Sequence, residues 1–283
     1  MLTRQFKNRL FNSVVISSLL VAACVMLGLI MTIFIKGAPA ISFDFIFTPA
    51  QSFGSGGGIA YQIIGSLLMV SVAACLVLPI AIGVSIFLSE MVSSPQTRKA
   101  LLTALLTLNG VPSITFGIFG LIFFVYGLGT GISWFVGSII LAMMMLPTIT
   151  LSTYQSINSI PTIYRENAYA LGFSQAQTIW HVLLPQGFHG AVTGLLIGLA
   201  RAVGETAPIM FIATAFSGVS TPNSLNEPVS TLPTHILALA QQATNPQALL
   251  NGWGAALTLM CMVLIFSLMA LIFRYKLQKR HTL

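Results

Sequence analysis

Along this chain apolar and polar residues come in blocks instead of alternating at the period of a half-buried strand. Residues 13–35, 63–88, 101–128, 132–153, 187–215 and 252–273 are almost wholly apolar, and a helical membrane span needs about 20 such residues. The pattern predicts an all-α polytopic membrane protein with about six transmembrane helices, forming a single domain over 1–283. Helices are the expected form because no water is available in hydrocarbon to satisfy an exposed backbone. The polar stretch 154–186 is too long for a turn and reads as helix, stop and second helix. Gly172 is the residue type that ends a helix in a left-handed conformation, and Ser174 with Gln177 has the spacing of a capping box.

Composition agrees with the blocks. Hydrophobic residues make up 56% of the chain and charged residues 6%, with a mean hydropathy of +0.92, whereas a soluble domain is about a quarter charged. A net charge of +7 would suit nucleic acid only if Lys and Arg clustered on a solvated patch. Here they flank apolar blocks, so the lipid bilayer is the predicted partner and nucleic acid is not. With both termini cytoplasmic, Arg4, Lys7, Arg9, Arg98, Lys99, Arg165, Arg274, Lys276, Lys279 and Arg280 lie inside. Lys36 alone lies outside and Arg201 falls within a span. The positive-inside rule therefore predicts a multi-pass protein of a bacterial-type inner membrane with both ends in the cytoplasm.

The N-terminus imitates a signal peptide, with three basic residues and Ala38-Pro39-Ala40 as a small-residue site. Its apolar run of about 23 residues exceeds the 7 to 15 of a signal core, so an uncleaved first helix is predicted. Cys24, Cys75 and Cys261 fall in spans without metal-ligand spacing and are predicted to be apolar packing, and His235 stands alone. No metal site is expected. The run Gly54 to Gly58 lacks the Gly-Lys pair of a phosphate-cradling loop, so it reads as a flexible outer loop among Phe43, Phe45, Phe47 and Phe53. Residues 89–99, with Glu90, Pro95, Arg98 and Lys99, read as a solvated connector. Asn109-Gly110-Val111-Pro112-Ser113 interrupts the third block, and Pro112 predicts a bend there. Met143, Met144 and Met145 face all round a helix and read as adaptable packing. Within the polar segment 216–251, residues 234–242 suit a short surface or re-entrant helix.

The fifth block carries the candidate chemistry. At about 100° per residue, Gly190, Gly194, Gly198, Arg201, Glu205 and Pro208 fall within roughly 80° on one helix face. Glycines at that spacing admit a close helix neighbour. Arg201 is 14 residues from either end of 187–215, about 21 Å at 1.5 Å per residue, so it is predicted near mid-membrane. An arginine there costs about 2.5 to 3.5 kcal/mol or more unless it faces protein, water or an anion. Glu205, four residues on, can partly neutralise it. The pair reads either as a lock between helices or as an anion site, since a guanidinium offers phosphate a planar fork of donors.

The loop residues Glu166-Asn167-Ala168, Gly172 and Leu184-Pro185 resemble the Glu-Ala-Ala loop of ABC-importer permeases, with Asn167 where alanine is usual. Arg201-Ala202-Val203-Gly204-Glu205-Thr206-Ala207-Pro208 is similar, more narrowly, to the permeases of phosphate-specific importers. Val111-Pro112-Ser113, Leu146-Pro147, Thr231-Leu232-Pro233 and the last span match at corresponding places. Leu151 and Tyr154 stand where that family usually has arginine and glutamate. The resemblance implies a type I ABC-importer permease that is not an enzyme. It implies Arg201, Glu205 and Thr206 on the substrate path, and Tyr164, Arg165, Glu166, Ala168 and Gly172 at an ATPase docking surface. Gly190, Gly194, Gly198, Pro112 and Pro208 would serve packing or bending. The implied partners are a second permease subunit, an ATPase dimer that binds ATP and Mg, an extracytoplasmic phosphate-binding protein and phosphate. This chain itself would hold no cofactor. Another oxyanion, such as molybdate, tungstate or phosphonate, stays open as cargo, and a stand-alone channel or ion-coupled carrier is the alternative from another class.

Overall fold

The computed structural model describes residues 2–214, 221–242 and 244–280. The side chains of Arg4, Lys7, Arg274, Lys276, Lys279 and Arg280 and the end of the 187–215 block lie outside the described part. In chain order come α1 (Leu2–Gly37), α2 (Phe43–Phe47), and the short antiparallel strands β1 (Ala50–Gln51) and β2 (Gly56–Gly57). Next are α3 (Ala60–Ile86), continued by a π turn at Phe87–Met91, α4 (Pro95–Asn109), and α5 (Ser113–Gly120), continued by a second π stretch. Then follow α6 (Trp134–Asn158), α7 (Thr162–Ala170), α8 (Gln175–Thr178), a third π turn, and α9 (Leu184–Val203). The chain closes with α10 (Ala207–Ile212), α11 (Leu232–Ala240) and α12 (Pro246–Arg280).

Among the described residues, five helical stretches are long and apolar enough to cross a membrane: Asn8–Ala40, Ala60–Met91, Trp134–Asn158, Gln175–Val203 and Pro246–Phe273. The third apolar block is not one rod, because α4 and α5 meet at 90° across the break at Gly110. Pro112 is the cause. It caps α5 with ψ 136°, outside the helical range, and has no N–H to continue α4. The expectation of one span over 187–215 is also corrected, since α9 stops at Val203 and the chain restarts as α10. Gly204 and Pro208 act together here. A proline at 208 cannot donate to the Gly204 carbonyl, which instead receives a 3.5 Å contact from Thr206 Oγ1.

The core lies where α6 packs between α3 and α9. Met69, Ala73 and Val77 of α3 meet Ile140, Met145 and Ile149 of α6, with Ala202, Val203 and Ile212 closing the cluster. In hydrocarbon this association rests on close fit, because lipid tails are as apolar as leucine. A Cβ on Gly190 would sit 2.3 Å from Ser156 Cβ, and one on Gly194 would sit 3.0 Å from Ile149 Cα. Ser152 Oγ uses that proximity to donate to the Gly190 carbonyl at 2.8 Å. α12 packs against α9 and α11, and α1 touches the bundle through α12. The three cysteines are exposed on outer helix faces, which corrects their expected packing role. A thiol is apolar enough that acyl chains can replace a protein neighbour.

The region opposite the α7–α8 end is built from short elements. Phe45 is buried against Ile59, Leu232 and Ala255, while Phe43, Phe47 and Phe53 are exposed. α11 begins with a capping box between Thr231 and Thr234. His235 on the same helix is buried, and burial pushes its imidazole down from 6.5 to about 4, so it is held neutral there.

The glycine contacts give a direct test. Gly190→Val should lower the melting temperature of the detergent-purified chain, at a cost of about 1–3 kcal/mol for overpacking. Gly83→Ala, where nothing lies within 4 Å of an added Cβ, should melt like the parent. Equal melting of both variants would mean that the α6–α9 contact yields without cost.

Candidate functional site

The polar groups that α6 and α9 bring together line one cleft. It has a volume of about 850 Å³ and is walled by Thr148, Ser152 and Gln155 of α6, by Gln186 and Thr193 of α9, and by Asn109 at the α4–α5 break. Its lining contains hydroxyls, amides and His189, and no Asp, Glu, Lys or Arg. The cleft runs from Asn109 to Pro161 and Tyr164, so it connects the middle of the bundle with the α7–α8 loop.

Arg201 stands at the Asn109 end. Its Nη1 donates to Asn109 Oδ1 at 3.2 Å, and the same oxygen accepts from Thr148 Oγ1 at 3.4 Å. Its Nε donates to Glu205 Oε1 at 3.4 Å. Thr148 is near the middle of α6, so Asn109 holds the guanidinium near mid-height of the bundle. The sequence reading put Arg201 midway along an unbroken helix; instead it sits in the last turn of α9, where the carbonyl end of the helix favours a cation. The break leaves its side chain 44% exposed while that of Glu205 is 14% exposed. A guanidinium has five N–H donors, and the contacts to Asn109 and Glu205 use two of them. An exposed cation with donors to spare, at the head of a neutral polar cleft, is suited to an anion.

Thr206 and Pro208 belong to the second break. Pro208 is buried, and a Cβ on Gly117 of α5 would lie 2.7 Å from its Cα, so the two broken spans pack on each other beyond their breaks.

The loop is locally determined. Gly172 has φ +84° with nothing within 4 Å of an added Cβ. Phe173 N–H donates to the Ala168 carbonyl and Gly172 N–H to that of Tyr169, both at 3.0 Å, which is a complete Schellman stop. The capping box of Ser174 and Gln177 then starts α8. Of the residues expected at a docking surface, Tyr164 and Glu166 are exposed, and Ala168 is buried as the inward anchor. Arg165 is turned inward. It donates to Glu90 Oε1 at 2.9 Å and to the carbonyls of Ile157 and Ile160. Glu90, expected in a solvated connector, lies in the π turn after α3 with 9% side-chain exposure.

Sequence reasoning passed over Asn109, Glu90 and the cleft walls. One signal for the walls was present. Thr148, Ser152, Gln155, Ser156 and Ser159 recur at helical spacing on an otherwise apolar segment.

Broken apolar helices around a polar cleft, with an arginine at one end and a two-helix loop at the other, define a multi-pass membrane permease. The chain belongs to the family described as "Binding-protein-dependent transport system inner membrane component", whose model matches residues 78–282. It is therefore a transporter subunit. It is 30% identical to a Bacillus subtilis (strain 168) protein named "Probable ABC transporter permease protein YqgI", over 88% of this chain and 89% of that one. It is 33% identical to the "Phosphate transport system permease protein PstA" of Xylella fastidiosa (strain Temecula1 / ATCC 700964), over 84% of this chain and 82% of that one. A chain in the crystal structure of a bacterial alginate ABC transporter, in complex with alginate pentasaccharide-bound periplasmic protein, shares the fold. The TM-score is 0.66 with 16% identity, covering 93% of each chain.

Gly172→Val isolates the backbone contribution of the loop corner, since the open space around it leaves only strain, about 1–2 kcal/mol for a left-handed residue with a Cβ. Amide hydrogen exchange over 164–178 should accelerate while the spans keep their protection. Unchanged exchange would show that the corner does not depend on glycine.

Proposed function

We propose that this chain is a membrane permease subunit of an ATP-driven importer of inorganic phosphate. The observation that carries the reading is Arg201, a half-exposed cation at mid-height that opens onto a cleft without acidic side chains. Relatives named as phosphate transport permeases along most of the chain support phosphate as the anion. On this reading the guanidinium replaces part of the water that phosphate loses in the membrane. Glu205 limits how strongly the anion is held, so that it can leave. The hydroxyls and amides below Arg201 offer neutral hydrogen bonds on the way out. Thr206 stands at the break beside this path.

The rest of the assembly follows from the same reading. A second, related permease subunit covers the open side of the cleft. An extracytoplasmic phosphate-binding protein delivers the cargo at the α2–α11 end. The α7–α8 loop, through Tyr164, Glu166 and the Gly172 corner, docks on an ATPase dimer. That dimer binds ATP and Mg, and this chain needs no cofactor of its own. The ten-to-one distribution of Lys and Arg supports a cytoplasmic location for the loop and both termini.

Orientation is tested with single cysteines in a background without native cysteines. Cysteines at Ser55 and Ser224 should react with an impermeant thiol reagent added outside intact cells, and those at Ser94 and Ser174 should not. The opposite pattern would turn the loop away from any cytoplasmic ATPase.

Cargo is tested by radiolabelled phosphate uptake, normalised to assembled complex. Arg201→Met strands the partly buried Glu205 and should destabilise the chain. Adding Glu205→Met should restore assembly but leave uptake near background, because no cation remains in the path. Arg201→Lys keeps the charge without the fork and should lower uptake about tenfold, the worth of one net hydrogen bond. Wild-type uptake by the double variant would make the pair an architectural lock.

A further inference from the structure

Outside the proposed anion path, one carboxylate gathers several hydrogen-bond donors. Glu90 Oε1 accepts from Arg165 Nη2 at 2.9 Å, from Arg165 Nε at 3.3 Å and from Ser89 Oγ at 2.7 Å. The guanidinium also donates to the Ile160 carbonyl at 3.0 Å and the Ile157 carbonyl at 3.3 Å, at the end of α6. The backbone carbonyl of Glu90 accepts from Gln175 Nε2 at 3.1 Å, at the start of α8. Just beyond, Arg98 Nη2 donates to the Val92 carbonyl at 2.6 Å and ties the base of α4 to the same corner. The ends of α3 and α6 and both helices of the loop therefore meet within a few bonds.

The two halves of the loop are attached differently. The π turn leading into α9 is held by apolar packing, with Ile179 and Leu183 against Ile160 and Ile86. In α7, Ala168 is the one buried residue, and the ties of α7 to the spans run largely through Arg165. With side-chain exposures of 18% and 9%, the Arg165–Glu90 pair is shielded from the screening that weakens surface pairs. A pair of this kind is stiff, and it fixes α7 to two spans at once.

We infer that Glu90 is a positioning residue for transport: with Arg165 it forms the rigid joint that carries displacement of α7 into α3 and α6. The inference rests on the reading that the α7–α8 loop docks on an ATPase. Loss of the joint leaves the ATPase attached to a loop that moves without moving the spans, so ATP is hydrolysed with less transport.

The test uses the whole complex reconstituted in proteoliposomes, with phosphate uptake and ATP hydrolysis measured on the same preparation. Glu90→Gln keeps the shape and removes the charge. Uptake per assembled complex should fall about two- to thirty-fold, the range for residues that carry coupling without touching ligand, and ATP hydrolysed per phosphate should rise. Glu90→Asp, which keeps the charge, should recover part of that ratio. A purely structural role predicts less assembled complex with an unchanged ratio, and that result overturns the inference. If Glu90→Gln does not assemble, Ser89→Ala decides: removal of one donor to Glu90 should raise the ratio, and a wild-type ratio overturns the joint. A wild-type complex that lacks an ATPase or does not carry phosphate would instead overturn the underlying reading, and the inference would fall with it.

Discussion

Hydrocarbon offers no hydrogen bonds, so each place where a spanning helix breaks must find partners within the protein. Among the described residues, apolar helices break at Gly110 and at Gly204, and the breaks are set against each other. Arg201 at the end of α9 reaches Asn109 at the end of α4, while Gly117 and Pro208 let α5 and α10 pack beyond the breaks. The polar cleft begins where these interruptions meet. Its walls form where α6 and α9 are held close by Gly190 and Gly194, with Thr148, Ser152 and Gln155 of α6 across from Gln186, His189 and Thr193 of α9. The arrangement of the bundle thus follows from the need to satisfy two discontinuities.

The two arginine–glutamate pairs occupy contrasting settings. Arg165 and Glu90 are mostly enclosed and further bonded to carbonyls and a hydroxyl. Arg201 and Glu205 are separated by 3.4 Å, with the cation half exposed. An enclosed, fully bonded pair resists displacement, whereas an open pair at longer range can rearrange around a third charge. With so few charged residues in the chain, this difference in enclosure separates a fixed pair from an open one.

Much of this was legible in the sequence because membrane constraints are written in long runs. The apolar blocks marked most of the long helices, Pro112 marked the first break, and Gly172 with Ser174 and Gln177 marked the loop corner. The second break was harder to read, because apolar residues resume at Ala207 after Glu205 and Thr206 and hydropathy cannot register where a helical hydrogen-bond ladder stops. Glu90 was hidden for a different reason. Its partner Arg165 is distant in sequence, and a single carboxylate among Ser89, Pro95 and Arg98 has the appearance of a solvated turn. Asn109 was read as a helix breaker, and its amide proved equally important as the acceptor that orients Arg201. The polar stripe of α6 carried a helical period but was diluted by apolar neighbours.

A Cβ added at Gly172 would touch nothing, so the turn itself is shaped by the backbone bonds of the Schellman stop and by the capping box that follows it. If the loop docks on an ATPase as proposed, a surface built in this way needs little rearrangement to do so. Little ordering entropy remains to be lost on association, and an encounter need not await a rearrangement of the loop. The speed and tightness of such docking would then be set by the chemistry of the exposed side chains at the corner.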